Sequence, residues 1–136
     1  MNFDRIFNPQ GLNWWIVVSG IGMNFLLMTF LMLGVVYGAE NALSPALVTT
    51  IMSLGGFLIP LFTAYVCGRM GEERFMGYAF YPLIGYLMPL VFGIASAGLL
   101  GILMAVFGVL GAFNGASLAA RRANRRRHYI GDDGDK

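Results

Sequence analysis

The chain has 136 residues, 57% of them hydrophobic and only 12% charged, with a net charge of +2; that charged fraction is half the ~25% typical of a soluble domain. Residues 6–39, 41–68 and 75–120 carry no Asp, Glu, Lys or Arg. A soluble fold this small has too much surface to leave such runs uncharged, which excludes a soluble enzyme, a disulfide scaffold and a disordered chain, and leaves an all-α polytopic membrane protein.

Along the chain, Phe3, Ile6 and Phe7 recur at helical spacing around Asp4 and Arg5. They suit either one interfacial turn ahead of Pro9 or a plain flexible leader. The first apolar segment, 14–38, is too long for the apolar part of a cleavable signal, and Tyr37-Gly38-Ala39 lacks a small residue at the −3 position. It reads as a retained first span. Ala39 to Pro45 is a linker whose proline suits the start of a helix, and the second span follows at about 46–68. The run 75–120 is too long for one crossing: at 1.5 Å per residue it would reach roughly 69 Å, against a hydrocarbon core of about 30 Å. Two spans fit, about 77–95 and 98–119, with a tight turn near Ser96-Ala97. Together these make a four-helix transmembrane domain over 1–120 and a tail over 121–136.

Charge placement supports an even number of crossings. With four spans, every Lys and Arg falls on one side of the membrane and Glu40 alone on the other. Three spans would put Arg5, Arg69 and Arg74 opposite the arginine-rich end. The positive-inside rule therefore places both termini in the cytoplasm. Trp14, Trp15, Tyr65, Tyr78 and Tyr81 then lie near cytoplasmic span ends, where amphipathic rings settle among headgroups.

Glycine accounts for 19 residues, about twice average usage. In the last span Gly98, Gly101, Ala105, Gly108, Ala112, Gly115 and Ala119 alternate spacings of three and four. This is a seven-residue repeat with small residues at both seam positions. In lipid, helices associate by close backbone approach rather than by a hydrophobic force, and small residues permit it. The pattern predicts a helix packed along its whole length against another, in the same chain or a different one. Gly34-x-x-x-Gly38 and Ala64-x-x-x-Gly68 are shorter versions.

Pro60, Pro82 and Pro89 lie within spans and free the carbonyls of Gly56, Tyr78 and Gly85, so each is expected to bend its helix. Near mid-depth stand Asn24 and Tyr86, whose amide and phenol need partners because an unmet polar group in hydrocarbon costs several kcal/mol. The expectation is a small polar set in which they bond each other or the freed carbonyls, as interhelical glue or, in a second reading, as a solute site.

No span holds an ionisable Asp, Glu, Lys, Arg or His, the residues that mark proton relays and ion-coupled transport. Cys67 cannot form an internal disulfide, being the single cysteine. A pairing with His128 lacks an acid or an oxyanion motif, and acylation of Cys67 has only its span-end position behind it. No catalytic, cofactor or metal motif is present, so the chain reads as a non-enzyme without cofactor. Arg121, Arg122, Arg125, Arg126 and Arg127 follow the last span. They fix that end in the cytoplasm and offer a seat for anionic lipid or for an acidic neighbouring subunit. Nucleic acid is not an expected partner, for no recognition fold accompanies them.

Cys67-Gly68-Arg69-Met70-Gly71 at the end of span two, and Gly108-Val109-Leu110-Gly111-Ala112-Phe113-Asn114-Gly115 before an arginine pair, resemble small four-span prokaryotic membrane proteins of unknown function. The resemblance implies a prokaryotic cytoplasmic membrane and no particular activity. Span one lacks the glutamate expected of small multidrug exporters, and the threonine- and phenylalanine-rich stretch of fluoride channels is missing. The favoured expectation is a non-catalytic accessory or scaffolding subunit packed against other membrane subunits or copies of itself. The alternatives are a small oligomeric channel or transporter for an uncharged solute, and a lipid-binding membrane organiser.

Overall fold

A computed structural model describes residues 10–41, 43–71 and 74–132, with the backbone alone at 92–97 and 126–132. The N-terminal turn expected around Phe3 to Phe7 lies outside the described residues. All regular structure among those residues is helical: α1 (Trp14–Glu40), α2 (Pro45–Gly71), α3 (Phe75–Phe80), α4 (Leu83–Ala97) and α5 (Leu99–Asp132). Three of these are long and apolar enough to cross a membrane: α1, α2 and the Leu99–Arg125 part of α5. The apolar stretch Phe75–Val91 is shorter. The chain is a compact helical integral membrane protein.

Helix ends follow local chemistry. The Asn13 side chain caps α1 by accepting from the Trp15 N–H at 3.1 Å, satisfying one of the donors a helix start leaves open. Ser44 does the same for α2 through the Leu47 N–H, at 3.3 Å, and Pro45 occupies the first helical position, where its missing N–H costs nothing. Pro60 and Pro89 sit inside α2 and α4 without ending them.

The structure sharpens three of the expected boundaries. The third span is not one bent helix but two pieces, α3 and α4, parted at Tyr81-Pro82. Proline there donates no bond to the Tyr78 carbonyl and crowds it, and the Tyr81 N–H bonds the Gly77 carbonyl at 3.1 Å as α3 ends. The second turn falls at Gly98, not at Ser96-Ala97, and Gly98 takes φ +53°, a conformation glycine adopts without the steric penalty of a Cβ. Finally, α5 does not stop at the arginines but runs on to Asp132, so the start of the expected tail is helical.

Trp15, Phe30, Leu33, Leu58, Phe62, Val91 and Leu99 stand exposed, an apolar exterior suited to acyl chains, whereas Asn24 and Thr63 are buried. The core joins Met28 and Val35 of α1, Met52 and Ala64 of α2, Ala79, Leu83, Tyr86 and Leu90 of α3 and α4, and Met104, Ala112 and Ala116 of α5. A second cluster near the start of α1 gathers Leu12, Val17, Cys67 and Tyr78. The most extensive helix pairing is between α2 and α5.

Candidate functional site

Of the expected seam, Gly101, Gly108, Ala112, Gly115 and Ala119 are buried and Ala105 is half-buried. The helix opposite is α2 of the same chain. A Cβ placed on Gly115 would meet the Leu61 carbonyl, with its carbon 2.9 Å away and the Tyr65 nitrogen at 3.0 Å. One turn earlier, Gly111 meets the Phe57 carbonyl in the same way. One turn later, Ala119 brings its methyl group to 3.1 Å from where a Cβ on Gly68 would stand. Two members of the expected set behave differently. Gly98 is exposed at the turn, with nothing within 4 Å of its missing side chain. Gly108 faces the ring of Tyr86 rather than α2. Gly111, outside the expected set, is in the contact because it stands four residues before Gly115, on the same face of α5.

The mid-depth residues do not bond each other. The Asn24 amide donates to the Pro82 carbonyl at 2.8 Å, and the Tyr86 hydroxyl donates to the Met104 carbonyl at 2.8 Å. Neither acceptor is a carbonyl freed by proline. Pro82's carbonyl also accepts from the Gly85 N–H at 3.1 Å. Tyr86 is fully buried between two glycines: its hydroxyl is 3.1 Å from a Cβ on Gly56, and its ring fills the space beside Gly108. Among the described residues, two buried oxygens have no partner, Asn24 Oδ1 and Thr63 Oγ1. Sequence reading passed over Thr63, since a threonine in a helix ordinarily bonds the carbonyl four back and nothing in its spacing distinguishes it.

Cys67 is buried, its thiol 3.8 Å from the Ile16 carbonyl and 2.7 Å from a Cβ on Gly20. That closes it off from an acylating enzyme. His128 and the side chains of Arg126 and Arg127 lie outside the described side chains. Among the described residues no three His, Cys, Asp or Glu side chains gather as a metal site would need.

Arg121, Arg122 and Arg125 line one groove of about 620 Å³ with Tyr65 and Leu118. Arg122 Nη1 donates to the Tyr65 hydroxyl at 2.8 Å, so the aromatic residue on α2 holds an arginine of α5. No family model, curated protein or solved structure matches the chain.

Proposed function

We propose that this chain is a non-catalytic accessory subunit of a membrane assembly: a four-span bundle with both ends in the cytoplasm, in which α3 and α4 together make the third crossing. The observation that carries the reading is a filled interior. Tyr86, Met28, Leu90 and Met104 are fully buried side chains, and the Tyr86 phenol bridges α4 to α5 where a solute path along the bundle axis would run. Such a core holds a shape. The channel reading gains nothing from it.

Because the glycine seam of α5 is used within the chain, docking to a neighbour falls to another face. On α1, Phe30, Leu33 and Tyr37 stand exposed around Gly34, where nothing lies within 4 Å of the missing Cβ. A small residue between large ones is the notch another membrane helix uses for close approach. Purification in mild detergent from the native membrane tests the reading. Co-elution with larger partners in fixed ratio, lost on Gly34→Leu with helicity retained, is the expected result. A homo-oligomer that passes uncharged solutes in liposomes would refute it.

A further inference from the structure

We propose that the groove between the ends of α2 and α5 seats the phosphate headgroup of an anionic glycerophospholipid. The inference rests on the membrane placement of the bundle and not on the accessory-subunit reading.

Three observations converge on it. First, the arginines are not on a loose tail. The helix α5 continues through them, which puts Arg121, Arg122 and Arg125 within about one turn of each other on a rigid rod, three and four residues apart on one face. Second, one of them is already oriented. Arg122 spends a single N–H on the Tyr65 hydroxyl, and a guanidinium carries five N–H donors in a fixed fork, so the rest stay available to phosphate oxygens. Guanidinium geometry matches phosphate in a bidentate way. Among the described residues, the five that line the groove bring three positive charges and no acid.

Third, the groove has two ends of different chemistry. Leu118 lines it and is exposed, as is Leu110 two turns back along α5, with Asn114 exposed between them. On α2, Phe62 and Leu58 lie three and seven residues before Tyr65, and both are exposed. A basic pocket therefore lies beside exposed apolar side chains of both helices, at the level where the uncharged run of α5 ends at Ala120. The occupant that fits is an amphiphile with an anionic head and an acyl body. An acidic protein segment matches the charge and leaves these apolar side chains uncovered.

The test is native mass spectrometry of the full chain in neutral detergent, titrated with phosphatidylglycerol, phosphatidylcholine or inorganic phosphate. The expected result is a one-to-one adduct with phosphatidylglycerol at a concentration at least about tenfold lower than with phosphatidylcholine. Each arginine contributes about fivefold near an anionic surface. Arg125→Gln should therefore lose about fivefold, and the Arg121→Gln/Arg122→Gln/Arg125→Gln variant should bind the two lipids alike. Arg69→Gln, at the end of α2 and outside the groove, should keep the preference. Equal binding of both lipids by the native chain would overturn the proposal, as would a preference that survives the triple variant and Arg125→Gln. Displacement of bound lipid by equimolar inorganic phosphate, or by an equimolar oligoglutamate peptide, would also overturn it and assign the groove to a soluble anion or to an acidic chain.

Discussion

Replacing Gly111 or Gly115 by alanine perturbs the α2–α5 contact at its tightest points. A favourable C–H···O approach keeps carbon and oxygen about 3.3–3.6 Å apart. A Cβ on Gly115 would stand 2.9 Å from the Leu61 carbonyl carbon and closer still to its oxygen. The obstacle is backbone, not a side chain free to rotate, so the two helices must part by at least half an ångström. A gap of 0.5–1 Å forfeits about a quarter to a half of each dispersion contact across it, and over-packing of this kind costs roughly 1–3 kcal/mol. Alanine returns up to about 1 kcal/mol in helix propensity. The expected net loss is about 0–2 kcal/mol for either substitution, and about 1–3 kcal/mol relative to a Gly→Ala change at an open site. Because one displacement of α5 relieves both clashes, the double variant should fall short of the sum by about 0.5–1 kcal/mol. Unfolding in mixed micelles of rising dodecyl sulfate fraction, followed by helicity, measures this. Gly22→Ala and Gly34→Ala are the controls, since nothing lies within 4 Å of either position. The reasoning is refuted if the seam variants are no less stable than these, or if the double variant is strictly additive.

The same unfolding assay checks two further expectations. Tyr86→Phe removes the bond to Met104 without stranding a donor, and should lose about 0.6 kcal/mol and at most about 1.7, the mean and the maximum found for side-chain bonds between membrane helices. Thr63→Val removes a buried hydroxyl that has no partner at nearly constant volume. It should raise stability by about 1 kcal/mol, since such a group costs about 1–3 kcal/mol, and a loss would show that Thr63 is satisfied in the membrane. For Cys67, buried beneath Gly20 and Ile16, maleimide labelling in mild detergent should be slow and should become fast in dodecyl sulfate. Equal rates would place the thiol at the surface.

Much of the architecture is legible in the residues because the bilayer imposes one length scale. Charge-free runs delimit α1, α2 and the membrane part of α5, and Pro45 marks where α2 begins. The seam on α5 is legible as a periodicity, but the periodicity is silent on what lies across it: the facing partners are the Phe57 and Leu61 carbonyls, and backbone leaves no trace in composition. Gly98 was drawn into the repeat by its spacing, although its φ of +53° shows a glycine required by a turn. Position in a pattern cannot separate those two uses. The arginines were visible as charge; their groove was not, because it depends on Tyr65, far off along the chain, meeting Arg122.

The polar residues reveal a division of labour that neither pattern nor spacing announces. Tyr78, Pro82 and Tyr86 recur every four residues along the broken third segment, and each makes a bond to a different place. The Tyr78 hydroxyl accepts from the Asn13 N–H at 2.9 Å, Pro82 accepts from Asn24, and Tyr86 donates to Met104. Long helices such as α2 and α5 can adhere through many small contacts, because in lipid the attraction grows with the length of close approach. The pieces α3 and α4 are shorter and the turn at Pro82 denies them a continuous face, so their close approach is local: a Cβ on Gly85 would stand 2.7 Å from the Ile21 carbonyl carbon of α1. Hydrogen bonds at a four-residue interval add to that contact, one to the cap residue Asn13, one to α1 and one to α5. The break at Pro82 is then part of the same device, since the carbonyl it presents is the one Asn24 reaches. The segment least able to cross a membrane by length and hydropathy is thus tied at three successive turns to its neighbours.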